Sequence, residues 1–252
     1  DVCSSDLCHA LVPMLLCELQ GDTGAAVVFF AMFVVMSLAA RVKLRYFAVL
    51  GGLVLIAIPI LWQFVMDEYQ KARIVALFNL DNVEVQANEG YQQYQGMISI
   101  GSGKFSGQGL FQGSRVASNS VPFQQSDYIF SVAGEELGFI GCSLILLLLF
   151  LLLVKILHVA HSSRDDLGKY ICFGYFGIIA LQSISNIGMC LALLPVMGVT
   201  LPFFSAGGSS AACMYFGIGL VQSVYMRRKE SDGLRLKRKT PLRFTYSRVK
   251  NN

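Results

Sequence analysis

Hydrophobic positions fall in long unbroken blocks along this chain, separated by short basic connections and by one long polar interruption. No Asp, Glu, Lys or Arg occurs from Gly24 to Ala40, from Tyr46 to Met66, from Leu137 to Val154 or from Tyr170 to Met226. A hydrocarbon core about 30 Å thick takes about 20 apolar residues as helix. The blocks therefore predict membrane spans near 24–40, 46–66, 131–157, 170–194 and 205–226, the last block being split at Pro195 and Pro202. Leu11-Val12-Pro13-Met14-Leu15-Leu16-Cys17, inside Ala10 to Gln20, is too short to cross alone and reads as the tail of a further span. The predicted fold class is all-α, a polytopic membrane helix bundle with a large extracellular loop between spans.

That loop is the polar interruption, residues 67–128, which ends in Ser126-Asp127-Tyr128-Ile129-Phe130 just before a strongly apolar helix. A connection of such length normally folds and carries binding or chemistry. It is expected to be partly helical, with a short helix from Tyr69 to Phe78, and to rest on the outer surface. Composition agrees with the membrane class: 54% hydrophobic and 14% charged residues, with mean hydropathy +0.57, cannot be wrapped around one soluble core.

Basic residues give the orientation, because they flank spans mainly on the cytoplasmic side. Arg41, Lys43 and Arg45 fill one connection, Lys155, Arg164 and Lys169 another, and the tail from Arg227 onward is rich in both types. An even number of crossings separates these segments, so all three lie inside. Gln20–Thr23, loop 67–128 and turn 195–204 then share the outer face. The net charge of +4 reflects this asymmetry and a lipid-facing tail, not nucleic-acid binding.

Three regions divide the chain. Residues 1–7 read as the translation of a common sequencing-library adapter, which points to a gene fragment with a contaminated start; residues 8–229 form the membrane domain, truncated at its N-terminus; residues 230–252 form a basic cytoplasmic tail. Cys17, Cys142, Cys172, Cys190 and Cys213 lie in apolar runs and, like His9, His158 and His161, have no metal-ligand spacing.

Several motifs occur in one order: Tyr69-Gln70-Lys71-Ala72-Arg73, Tyr91-Gln92-Gln93-Tyr94-Gln95, Ile100-Gly101-Ser102-Gly103, Gly107-Gln108-Gly109, Gly134-Glu135-Glu136-Leu137-Gly138, Asn186-Ile187-Gly188-Met189, Leu194-Pro195-Val196-Met197-Gly198 and Ser205-Ala206-Gly207-Gly208-Ser209-Ser210. From about Leu11 to Lys229 the chain resembles the SEDS family of bacterial cell-wall proteins, the RodA, FtsW and SpoVE group. The resemblance covers the second half of such proteins, without the upstream helices that carry the family's Pro-Ser-Glu segment. Two matches depart from the family: its usual Gln-Pro-Asp-Leu-Gly-Thr stands here as Gln20-Gly21-Asp22-Thr23-Gly24-Ala25, and Ala206 replaces a frequent Tyr.

The resemblance implies a glycosyltransferase of the bacterial cytoplasmic membrane that polymerises lipid II, the undecaprenyl-linked disaccharide peptide, beside a class B penicillin-binding protein. Joining an α-linked donor into a β-linked glycan fits one inverting displacement, which needs a carboxylate base and positive charge near the departing diphosphate. The resemblance gives Asp127 the catalytic role; its residues alone fit a helix cap equally well. Arg73 and Tyr69, spaced i, i+4 on one helix face, are matched for substrate binding, and Lys104 is a further substrate-binding candidate; Lys71, Lys104 and Arg115 are other outer-face cations whose residues alone read as solvated surface. Gln95 and Ser102 belong to the loop expected to shape the acceptor site, whose glycines can also present backbone N–H groups to phosphate. Glu135 and Glu136, about 12 Å along the helix from Asp127, either line the groove or hold a metal, or form a packing ion pair with a helix outside this sequence. Asp22 either shares a divalent cation, Mg or Mn, with Asp127 or caps the helix from Thr23. Ser205 and Ser209 are candidates near the next helix start, where small residues also serve close packing. No organic cofactor is implied.

Two other classes stay open. A flippase or transporter of the lipid-linked precursor would show the same spans, with loop 67–128 as a gate. A scaffold that only docks a partner enzyme would not need Asp127. The sequence by itself is expected not to polymerise lipid II without the upstream helices.

Overall fold

The computed structural model describes residues 2–64 and 66–238, with side chains described for 11–60, 62–64 and 66–227. The described residues form ten helices and no strand: α1 Val2–Leu19, α2 Thr23–Ala39, α3 Leu44–Phe64, α4 Glu68–Phe78, α5 Val83–Ala87, α6 Tyr91–Gly103, α7 Ser114–Ala117, α8 Ile129–Ser162, α9 Asp166–Cys190 and α10 Gly208–Arg238. The first three charge-free blocks each correspond to one helix, and the fourth, Tyr170 to Met226, to two, α9 and α10. Among the described residues α3, α8 and α9 are long and apolar enough to cross a membrane, and α2 is a shorter apolar helix of 17 residues. The basic tail 230–252 continues α10 as far as Arg238, and its remaining residues lie outside those described.

The bundle centres on α9, which packs along α2 and α8 and touches α10; α1 leans on α2. Gly24 of α2 meets Met197 and Val199 just past the end of α9, whereas Gly174 near the start of α9 meets Met36. The two helices are therefore antiparallel, and Asp22 lies at the same end as turn 195–204. Gly168 of α9 meets Val224 of α10, and Asn186 reaches Asp127 before α8. Arg41 to Arg45, Ser163 to Lys169 and Arg227 thus gather at the end opposite Asp127, as the charge pattern requires. Two apolar clusters fill the interior. One surrounds Tyr128, Phe130, Ile145 and Leu201 near the Asp127 end, and the other Ile156, Tyr175, Ile179 and Val221 toward the basic end.

The polar segment 67–128 is partly helical, as expected. Helix α4 forms over Glu68–Phe78, with Gln70 Oε1 accepting the Asp67 N–H. Helix α6 and the segment after it run beside the first turns of α8 in the same direction. Gly96 lies against Tyr128 and Ser131, Gly103 against Gly134, and Gly107 against Glu136 and Leu137. At Gly138, with φ 66°, α8 is broken. In an uninterrupted helix the carbonyls of Glu135 and Glu136 would accept from the N–H groups of Phe139 and Ile140. Here they accept from Gln108 and Gly109 at 2.9 and 3.0 Å, while Phe139 and Ile140 donate to Lys104 and Phe105 at 2.9 and 3.2 Å. These two hydrogen bonds lost inside α8 are thus replaced across to the loop. The physical reason is steric: a Cβ on Gly107, itself at φ 77°, would lie 2.1 Å from the Glu136 carbonyl oxygen, so this backbone-to-backbone contact needs glycine.

Candidate active site at the outer end of the bundle

Asp127 is half-buried one residue before Tyr128, the N-cap of α8. Its main chain is held by residues distant in sequence. Asn186, fully buried in α9, donates its amide to the Asp127 carbonyl at 2.7 Å and to the Val199 carbonyl at 2.8 Å. Ser205 Oγ donates to the Ser126 carbonyl at 2.6 Å and accepts the Leu201 N–H at 2.8 Å, and the Ala206 N–H reaches the Gln125 carbonyl at 2.8 Å. The turn carrying Asp127 is therefore fastened to segment 199–206 on both sides. The carboxylate itself is left open: a side chain on Gly198 would begin 3.9 Å from Asp127 Oδ2. Partial burial pushes the Asp127 carboxyl above the usual carboxylate range, with a Ser126 hydrogen bond and the Arg73 charge pulling part of the way back.

Arg73 reaches this end from α4. One guanidinium nitrogen donates to the Val196 carbonyl at 3.3 Å and another to the Tyr69 hydroxyl, and the group lies 4.3 Å from the Tyr69 ring centroid. The i, i+4 spacing places both on one face, and the stacking presents the cation toward turn 195–198. Arg73 and Asp127 are charged candidates that come near one another at this end, which Asp22 shares.

The remaining candidates divide. Asp22 caps α2, accepting the Ala25 N–H at 2.9 Å. Lys71 pairs with Glu68 at 2.9 Å. Gln95, Ser102, Glu135 and Arg115 meet in the joint between α6, α7 and α8 instead of at Asp127. Arg115 donates from its backbone to Glu135 Oε1 at 2.7 Å and from its side chain to Ser99 at 3.1 Å and to Gln95. Ser102 accepts from Gln108 at 3.0 Å and donates to the Ser99 carbonyl. Arg115 is thus part of an internal polar network and not solvated surface. Glu135, fully buried, has a partner from this chain's own loop, although its Oε2 has none among the described residues. The N–H groups of Gly107, Gln108 and Gly109 bond to the Gly103, Glu135 and Glu136 carbonyls, so none of them is left to receive a phosphate. Glu136 is buried beside the break, and Lys104 is exposed at the far end of the joint. Ser209 is exposed in the first turn of α10.

Asn186 and Gln93 both lie within the sequence motifs without a role assigned there; the buried Gln93 amide donates to the Leu194 carbonyl at 2.8 Å and so ties α6 to the same turn. An amide inside a charge-free block was the available signal for Asn186. A divalent cation finds a poor donor set: among the described residues no three His, Cys, Asp or Glu side chains converge, and Asp22 is engaged as a cap. Asp22 and Asp127 therefore have no third such ligand among the described residues with which to form a protein-only metal centre.

An all-α bundle with long apolar helices, carrying one open carboxylate and one stacked arginine at a single end, defines a multi-pass membrane protein with a polar site at that end. The chain belongs to the FtsW, RodA and SpoVE family of cell cycle proteins, whose model matches residues 3–230. It is 34% identical over 236 residues to the peptidoglycan glycosyltransferase MrdB of Escherichia coli K12, covering 91% of this chain and 63% of MrdB. With stage V sporulation protein E of Bacillus subtilis strain 168 it shares 36% identity over 213 residues, 81% of this chain and 55% of that protein. Among solved structures it is similar to a chain of a peptidoglycan synthase complex that coordinates polymerization and crosslinking, with TM-score 0.75 and 27% identity over 88% of this chain and 61% of that one. It is also similar to the crystal structure of an aspartate-to-alanine variant of the rod-shape-determining protein RodA from Thermus thermophilus, with TM-score 0.59 and 26% identity over 89% and 57% of the two chains. The chain thus spans 63% and 55% of the length of these two curated relatives.

Proposed function

We propose that this chain forms the outer-face catalytic part of a peptidoglycan glycosyltransferase of the bacterial cytoplasmic membrane, polymerising lipid II for cell shape, division or sporulation. The observation that carries the reading is the open, half-buried carboxylate of Asp127, fastened through its backbone by Asn186 and Ser205 and lying within reach of the Arg73 charge. In the proposed step the acceptor sugar hydroxyl gives its proton to Asp127 as its oxygen bonds to the donor's anomeric carbon. The bond from that carbon to the diphosphate oxygen breaks, and the polyprenyl diphosphate leaves with the bonding pair. A desolvated carboxyl with a raised pKa is a better base than an ordinary one, and Arg73 supplies positive charge where the diphosphate develops its own. Mg2+ in phosphoryl sites is commonly held largely by substrate phosphates, so a divalent cation belongs in this proposal only as a companion of the diphosphate, and no step passes through it.

A cross-linking partner, a class B penicillin-binding protein, is part of the proposal; the similarity to a chain of a synthase complex supports it. The test is lipid II polymerisation by purified full-length protein carrying these residues, beside its Asp127→Asn variant. The variant keeps size and hydrogen bonding but removes the base, so glycan strands should vanish while the protein still folds. Undiminished polymerisation by the variant would rule Asp127 out.

A further inference from the structure

Turn 195–204 carries backbone donors that the rest of the protein does not use. Leu194 and Leu201 donate their N–H groups to the Gly188 carbonyl and to Ser205 Oγ, but between them none of the N–H groups of residues 196–200 donates to a described residue. Native folds pair nearly all such groups unless they face solvent or a ligand. Two of the five have a direction fixed by the trans peptide plane, in which an N–H points opposite to the preceding C=O. The Met197 carbonyl faces α2, its oxygen 2.2 Å from where a Cβ on Gly24 would stand, so the Gly198 N–H turns away from α2. The Val199 carbonyl accepts from buried Asn186 at 2.8 Å, so the Thr200 N–H turns away from α9. Both donors therefore leave the packed side of the bundle. Gly198 is exposed, at φ 67°, and beyond its chain neighbours the nearest described atom to its Cβ position is Asp127 Oδ2, at 3.9 Å.

On the reading of Asp127 as the base in lipid II polymerisation, we propose that the Gly198 and Thr200 N–H groups donate to the acetamido oxygen of the acceptor sugar. The ligand oxygen at this place has to be neutral, because the ionised Asp127 carboxylate beside Gly198 repels a phosphate. In an inverting displacement the groups that serve nucleophile and leaving group also stand on opposite faces of the reacting sugar, which puts the diphosphate away from Asp127. What lies against Asp127 is the sugar that gives up its hydroxyl. Peptidoglycan sugars are N-acetylated, and their acetamido oxygen is a neutral acceptor with two lone pairs, on the same ring as the attacking hydroxyl. Holding that oxygen fixes the rotation of the ring, so that the correct hydroxyl meets the base. Donors without a partner in the protein also discriminate strongly, since a sugar lacking the acceptor leaves them stranded.

The test compares kcat/KM of purified full-length protein carrying these residues for lipid II and for an analogue whose distal sugar, the one with the attacking hydroxyl, bears a hydroxyl in place of the acetamido group. The parent should favour lipid II about 25-fold, from two neutral hydrogen bonds at about fivefold each. Glycolic acid incorporated at position 198 replaces the N–H by an ester oxygen; it should slow lipid II about fivefold and leave the rate with the analogue unchanged. The α-hydroxy acid counterpart of threonine at position 200 should do the same. The change at 198 is the cleaner one, because the Met197 carbonyl, which the ester weakens, accepts nothing from the described residues, whereas the Val199 carbonyl holds Asn186. Equal use of the two substrates by the parent would overturn the proposal, and so would an ester that slows both alike, as simple distortion of the turn would. Weaker inhibition of the ester forms by a short-chain polyprenyl diphosphate would overturn it as well, by giving the N–H groups to the leaving group. The substrate ratio is read separately from Asp127→Asn: undiminished polymerisation by that variant removes the base, while an absent ratio in the parent removes only the acetamido contact.

Discussion

Replacing Asn186 with leucine tests whether the Asp127 turn is held in place from α9. The amide donates to two carbonyls, those of Asp127 and Val199, from a side chain with no solvent exposure. Leucine fills a similar volume and donates nothing, so both acceptors lose their partner inside packed protein. A stranded buried acceptor costs about 1–3 kcal/mol. The Cys190 thiol lies 3.7 Å from the Asp127 carbonyl and offers only a weak replacement, which puts the total near 2–4 kcal/mol. Asn186→Asp should cost more at neutral pH, because it turns carboxylate oxygens toward the same two carbonyls. Part of that loss should return on acidification, when the new carboxyl can donate. The assay is unfolding of the purified protein in mixed micelles of rising dodecyl sulfate fraction, read beside lipid II polymerisation by the full-length form. If Asn186→Leu stays within about 0.5 kcal/mol of the parent, the size of an inconsequential substitution, and polymerises at the parent rate, the clamp plays no part in positioning Asp127.

Because burial raises the Asp127 carboxyl, polymerisation that depends on its ionised form should be lost as pH falls through that raised value, at higher pH than for an ordinary carboxylate; the same shift makes ionised Asp127 a net cost to folding at neutral pH, so Asp127→Asn should unfold no more easily than the parent there. Arg73→Ala removes the charge that favours the ionised form, so the acid limb of the rate profile should move to still higher pH and the KM for lipid II should rise; an unmoved limb would separate Arg73 from Asp127. Gly103→Ala would put a methyl group 1.9 Å from the Gly134 carbonyl oxygen, a backbone atom that cannot turn aside, and should cost at least 1–3 kcal/mol, about what overpacking a tight core costs, in the same micelle unfolding assay.

The spans were legible because charge is the one thing a bilayer-crossing block cannot carry freely, and α4 because Tyr69 and Arg73 repeat at helical spacing. That Asp22, Asp127 and turn 195–204 share one end, opposite the basic connections, followed from the charge pattern alone. The break in α8 was not legible. Gly138 sits in a run that continues into unbroken apolar sequence, and only the hydrogen bonds supplied by residues 104–109 make interruption cheaper than continuity. Arg115 was misread for a related reason: an isolated cation in a polar stretch looks solvated, while the helix-spaced amide and hydroxyl that receive it, Gln95 and Ser99, lie in a different element. That i, i+4 pair of polar residues was the available clue to a buried partner.

The exchange of hydrogen bonds at Gly138 also constrains how the protein can be assembled. Neither α8 nor the 104–109 segment can satisfy its own backbone there, and unpaired peptide groups are not tolerated against lipid. The N-terminal part of α8 therefore cannot reach its final shape by insertion as an independent span. It must close around a segment that the chain has already delivered to the Asp127 end. Residues 91–109 precede α8, so synthesis supplies the template before the helix that needs it. A circular permutation that left every contact possible but made α8 emerge first would force its broken turn to wait, unpaired, for a partner still being translated.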